Sequence, residues 1–156
     1  MAGVSGICSV PDMARVWSGK MPHKAALIDS GRVVTYAQLN KRSNRIANAL
    51  IAAGIRPGSH VGFLGKNSAA FFEVWVGANK AGCALVPLNW RSAPAELVEV
   101  VQDAKVPLIV AGREFTELAE QVRQAPGTAV QVIPEDEFRE GLMSLQMADC
   151  RMLFPS

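Results

Sequence analysis

The sequence predicts an α/β fold: a mostly parallel sheet with helices on both faces, preceded by an N-terminal β-hairpin. Three observations carry that expectation. Short apolar runs alternate with helix-length amphipathic segments from residue 61 onward, as in successive βαβ units. The runs at residues 61–64, 83–87 and 108–111 are apolar without alternation, the pattern of strands covered on both sides. Finally, 156 residues that are 49% hydrophobic and 19% charged suffice for one soluble domain with a real core.

The elements follow in chain order. Residues 25–29 form a short apolar run, Ser30-Gly31 is a turn signal, and residues 32–35 are rich in β-branched side chains, which predicts the hairpin. Thr35 can cap a helix and Gln38, three residues on, can return the bond. Leu39, Ile46, Leu50 and Ile51 supply that helix with an apolar stripe, and Gly54 is a natural stop. After the Arg56-Pro57-Gly58 turn, the strand at 61–64, a helix over 68–81 ended by Gly82, and the strand at 83–87 make one βαβ unit. Pro94 then stands at a first helical position, with Leu97, Val100, Val101 and Ala104 on one face, ahead of the strand at 108–111. A helix over 114–124 leads to a strand at 130–133. The α/β core is thus expected over residues 22–133 of a single domain, with a tail at 134–156. That tail opens on Glu135, Asp136 and Glu137, acids suited to the positive end of a helix.

Composition excludes several roles. The net charge of +2 comes from scattered Lys and Arg with no basic stripe, so nucleic acid is not an expected partner. Cys8, Cys83 and Cys150 are odd in number and far apart, which disfavours disulfides and structural zinc; buried, reduced thiols are expected, and neither His23 nor His60 sits in a Cys/His signature. Residues 1–20 lack an apolar core of signal-peptide length and no segment holds a membrane-spanning apolar run, so the expected location is the cytoplasm with no transmembrane segment.

Several motifs invite functional readings. Gly65-Lys66-Asn67-Ser68 follows a strand and opens a helix, yet a Walker-type loop needs glycine where His60 stands and a hydroxyl where Asn67 stands. Helix capping by Asn67 or Ser68 is the expectation. Gly62 and Gly65 lack the third glycine of a dinucleotide fingerprint. Phe71, Phe72 and Trp75 have helical spacing and are expected in the core. Trp90 and Arg91 come just after a strand end, where open α/β sheets place their clefts; the alternative is that Arg91 is a solvated or paired surface residue. Lys80 lies in a last helical turn, where a cation favours the helix dipole. No paired carboxylates, Ser-His-Asp arrangement or metal-ligand cluster can be defended on spacing. Expected catalytic, cofactor-binding and metal residues are therefore none.

Two segments resemble early motifs of the AMP-forming adenylating enzymes. Val34-Thr35-Tyr36-Ala37-Gln38-Leu39 is similar to the "L-T-Y-x-E-L" helix start of that superfamily, and Lys80-Ala81-Gly82-Cys83-Ala84-Leu85-Val86-Pro87-Leu88-Asn89 to its second motif, in matching order and separation. Asn67-Ser68 and the aromatic helix resemble "N-S-x-E-F", and Ala95-Glu96-Leu97 the x-E-L of the following helix. The resemblance spans residues 22–112. The ending Asn89-Trp90-Arg91 is most similar to the "V-P-L-N-x-R" of acyl-CoA synthetases.

The resemblance implies the N-terminal part of a fatty-acid or aromatic-acid CoA ligase. In such enzymes ATP, with magnesium, converts the acid to an acyl-adenylate, and the thiol of CoA displaces AMP. Charge stabilisation on the transferring phosphates calls for a Gly-rich loop, a cation and a metal-holding carboxylate together. In the family those parts lie downstream of the matching motifs, so no catalytic residue transfers to this chain, which is expected to bind none of these cofactors and to be inactive alone. Leu153-Phe154-Pro155-Ser156 fits a strand leading into that loop and equally an unrelated tail. The alternatives are a structural module that complements a separately encoded ligase remainder and an independent small-molecule-binding α/β domain. Uncovered apolar surface, and with it association with the missing portion or self-association, is a further expectation.

Overall fold

The computed structural model describes residues 7–136 and residue 138. Its first helix, α1 (Val10–Lys20), is an addition to the elements expected from sequence. Ser9 caps it by accepting a hydrogen bond from the Asp12 amide, Pro11 stands in its first turn, and Lys20 closes it. Only Ala14 of this helix is fully buried, so its apolar stripe is too thin to announce itself.

The hairpin pairs β1 (Ala25–Asp29) with β2 (Arg32–Thr35) in antiparallel register. Its turn needs positive φ at both central residues, which Ser30 (φ 50°) and Gly31 (φ 80°) adopt. The chain passes directly into α2 (Tyr36–Ala52), whose start is locked by the expected reciprocal bonds. The Gln38 amide donates to Thr35 Oγ1 at 3.3 Å, and the Thr35 amide donates to Gln38 Oε1 at 2.9 Å.

The main sheet holds β3 (His60–Leu64), β4 (Ala84–Leu88), β5 (Leu108–Ala111) and β6 (Gln131–Pro134), all parallel, in the order β4-β3-β5-β6. Side chains alternate between its two faces. Val61, Phe63, Leu108 and Val110 face α2 and α3 (Ala69–Lys80), packing on Ile46, Leu50, Val74 and Ala78. Leu64, Ile109 and Ala111 face α4 (Pro94–Asp103) and α5 (Thr116–Gln124), packing on Leu97, Val101, Ala119 and Val122. A third cluster joins Ala14, Val34, Leu39 and Val76 beneath the hairpin. Gly62 lies in mid-sheet, where a Cβ would meet Ile109 and Val106 side chains at 3.0 and 3.2 Å. Packing, not a nucleotide, accounts for it.

Three expectations need correction. Val100 is 44% exposed, because Leu97 and Val101 point at the sheet and Val100 falls on the flank of α4. Strand β4 is not covered on both sides: Ala84 and Pro87 are exposed and its outer edge is unpaired in the main sheet. The Ala84 amide donates to Ser59 O toward β3, so by alternation Pro87, without an N–H, falls on the open side, where it blunts the edge. Arg113–Phe115 forms a separate 3-10 turn before α5. Of the acids at the start of the tail, Glu135 and Asp136 do begin a helical turn, and Asp136 pairs with Arg113 at 2.6 Å.

Hairpin and α3 are joined by one side chain. Asp29 Oδ2 accepts the Ala69 amide at 2.9 Å, at the positive end of α3. That bond, followed by one from the Ser30 hydroxyl, holds the Asp29 carboxyl below its usual range. Because the folded-state pKa is depressed, the contribution is complete above the ordinary value of 3.8 and is lost as pH falls through the folded-state value. Asp29→Asn is expected to flatten the acid limb of stability, read as urea midpoints from about pH 6 down to about pH 2. An unchanged limb would exclude this role.

Candidate functional site

The loops that leave β3 and β4 diverge. The first leads to α3 on one face of the sheet and the second to α4 on the other, and between two such strand ends a crevice must open. The crevice has a volume of about 440 Å³ and is lined by, among others, Phe63, Lys66, Asn67, Phe71, Asn89 and Trp90. Trp90 therefore lines the cleft, as its place after a strand end suggested.

Arg91 sits on the rim, its Cζ 4.5 Å from the centre of the Trp90 ring, while its amide donates to Asn89 Oδ1. The Trp90 ring stands 5.4 Å from that of Phe115, and Lys66 Nζ lies 5.7 and 5.9 Å from the two ring centres. Each contact favours the cation modestly. Lys66 Nζ also reaches Glu114 Oε2 at 2.6 Å; both side chains are exposed, so the pair adds little stability but fixes where the ammonium sits. Lys66 and Glu114 are 48 residues apart, and no spacing rule could have joined them.

The polar groups of the β3–α3 loop are engaged within the chain. Asp29 already occupies the Ala69 amide, Ser68 accepts the Phe71 amide as the helix cap, and Lys66 is held by Glu114. A phosphate placed there would meet a carboxylate where a phosphate loop offers open N–H groups. Among the described residues no group of three His, Cys, Asp or Glu side chains could hold a metal ion.

The remaining candidates are structural. Phe71 is partly buried against the core and stacks edge-on to Phe63 at 5.3 Å, and Trp75 packs near Val76, but Phe72 is exposed at its place on α3. Cys83 is buried and its thiol pushed up by that burial, which makes it unreactive; Cys8 is exposed, against expectation, and Cys150 lies outside the described residues. His60 Nδ1 lies 2.7 Å from Ala104 O, and His23 is exposed. Lys80 does end α3, but sequence reasoning missed its partners on α2, Asn40 and Asn44.

A scan against protein-family profiles matches residues 14–152 to the AMP-binding enzyme family. This chain belongs to the AMP-binding enzyme family. The match runs beyond residues 22–112 in both directions and takes in most of the tail. A fatty acid–[acyl-carrier-protein] ligase of Streptomyces coeruleorubidus, ScoC, is 40% identical over 114 residues, covering 73% of this chain and 22% of that protein. A feruloyl-CoA synthase of an Amycolatopsis species is 38% identical over 96 residues, covering 62% of this chain and 20% of its own. The solved N-terminal domain of FACL13 from Mycobacterium tuberculosis superposes with a TM-score of 0.81 at 29% identity, covering 88% of this chain and 36% of that one. The family member described here thus spans about a fifth of the length of the curated relatives it matches. Its parallel sheet, flanking helices and hairpin are those of the N-terminal domain of AMP-binding ligases.

Proposed function

We propose that this chain is the N-terminal scaffold of an ATP-dependent, AMP-forming acid–thiol ligase acting on a fatty or aromatic acid, and that its 156 residues do not activate an acid by themselves. The observation that carries this reading is the closed β3–α3 loop. Its one lysine is tied to Glu114, and the positive end of α3 is filled by Asp29. The residues of this chain therefore build the sheet and one crevice wall, while ATP, magnesium and CoA are handled by parts of the ligase beyond it. A fatty-acid ligase and a feruloyl-CoA synthase among the relatives support a fatty or aromatic acid. In the second reading the chain complements a separately produced remainder, which the exposed Ile28 and Val33, facing each other across the hairpin, would help to seat. In the third, the aromatic-lined crevice binds a small molecule independently.

The test is replacement. Residues 14–152 are put in place of the matching segment of the Streptomyces ligase, and acid-dependent exchange of pyrophosphate into ATP is measured. Exchange by the hybrid is the expected result. A hybrid that folds and binds ATP but gives no exchange with any acid would count against the scaffold role. Heat on titrating acids or acyl-CoAs into this chain would favour the third reading.

A further inference from the structure

Lys80 fixes the hydrogen-bonding sense of two asparagines. Its Nζ donates to Asn40 Oδ1 and Asn44 Oδ1, each at 2.6 Å, and to the Asn40 backbone oxygen at 3.3 Å. An ammonium carries only donors, so the oxygen of each carboxamide must face it. The Nδ2–H groups of Asn40 and Asn44 are thereby turned away from Lys80, and neither has a protein partner among the described residues. Both asparagines line a groove of about 570 Å³ between α1 and α2, together with Ser18, Lys41, Arg45 and Asn48. Asn40, Asn44 and Asn48 recur at every fourth residue, which sets them in one ridge along α2, about 12 Å from first to last. Among the described residues no carboxylate lines the groove, and Lys41 forms no ion pair. The Ser18 hydroxyl donates to Arg15 O at 2.7 Å and serves as wall.

We propose that the α1–α2 groove binds a linear polyphosphate, either free or as the tail of a nucleotide. The oxygens of Asn40 and Asn44 are spent on Lys80, so these side chains offer the groove only donors, which suits a ligand that only accepts. Lys41 and Arg45 add positive charge at the same wall. The Lys80 charge lies one carboxamide behind the ridge and polarises both amides toward the ligand, which makes Lys80 a positioning residue. A chain of several phosphates carries acceptor oxygens along its whole length and can follow the three asparagines, whereas one compact anion meets only part of them. The groove shares no lining residue with the crevice at the ends of β3 and β4, and the inference does not depend on the ligase reading.

Inorganic tripolyphosphate is titrated into the whole isotope-labelled chain without divalent cations, and the side-chain amide signals are followed by NMR. The Nδ2–H signals of Asn40, Asn44 and Asn48 are expected to shift together, with an affinity that falls as salt is added. Sulfate at the same ionic strength is expected to bind at least about tenfold more weakly, because it cannot span the ridge. Asn44→Asp keeps an acceptor for Lys80, and so the fold, but sets a carboxylate oxygen where the amide donor stood. It is expected to weaken tripolyphosphate binding at least about tenfold. A tighter hold on ATP than on tripolyphosphate would assign the phosphates to a nucleotide, and a weaker hold would assign them to a free chain. Sulfate bound as tightly as tripolyphosphate would mean an adventitious ion only. That result, no shift of the three asparagine signals, or an affinity unchanged in Asn44→Asp would overturn the proposal.

Discussion

Gly77→Ala is expected to lower the stability of the chain by about 2 kcal/mol, although alanine is the better helix former by about 1 kcal/mol. Gly77 lies within α3 where that helix meets α2. A Cβ there would stand 2.4 Å from Ile46 Cγ2, 2.7 Å from Ile46 Cβ and 3.1 Å from the backbone oxygen of Ser43. None of these can yield cheaply: Ile46 is branched and 95% covered by the core, and Ser43 is fully buried. The helices must move apart, and their shared cluster of Ile46, Leu50, Val74 and Ala78 loosens with them. Gly77→Val should fail to fold. The check is urea unfolding of Gly77→Ala alone and with Ile46→Ala, which makes room for the new methyl. The double variant is expected to lose less than the two single losses added together. Stability equal to or above the parent in Gly77→Ala would show that α2 and α3 do not approach this closely.

Arg42→Met is expected to cost about 3 kcal/mol. Arg42 Nη1 meets Glu73 Oε1 at 2.6 Å, and the Glu73 side chain is 1% exposed, so the variant takes a charged partner away from a carboxylate buried in the α2–α3 interface. Arg42 keeps some contact with solvent, which places the expected loss at the lower end for a buried pair. Removing both charges is a different matter. Arg42→Met with Glu73→Leu removes both charges of this pair and should recover much of the loss, since an apolar pair of similar volume replaces an ion pair at little cost. Guanidinium unfolding of the two single variants and the double variant measures the coupling. Additive losses would mean that the two groups stabilise the interface independently.

The parts of the fold that were legible are those set by neighbours in sequence. The Ser30-Gly31 turn and the Thr35–Gln38 capping box are local, and the apolar runs at β3 and β5 are continuous because both faces are covered. What could not be read depends on partners far along the chain. Glu73 interrupts an apolar stripe and looks like a defect until Arg42, 31 residues earlier, is placed beside it. The cap on Ala69 comes from Asp29, 40 residues away, and the oxygens around Lys80 come from α2. Helix α1 was missed because its buried face is nearly confined to one alanine. In the crevice, the position of Trp90 after a strand end was a usable signal, while the link from Lys66 to Glu114 carried none.

In the β3–α3 loop the Ala69 amide is taken by Asp29 and Lys66 by Glu114, and the proposed scaffold role rests on those contacts. Pyrophosphate exchange into ATP by the purified 156-residue chain, over a panel of fatty and aromatic acids, probes that most directly. Exchange at the background rate with every acid is the expected result. Robust exchange that depends on the acid supplied would contradict it.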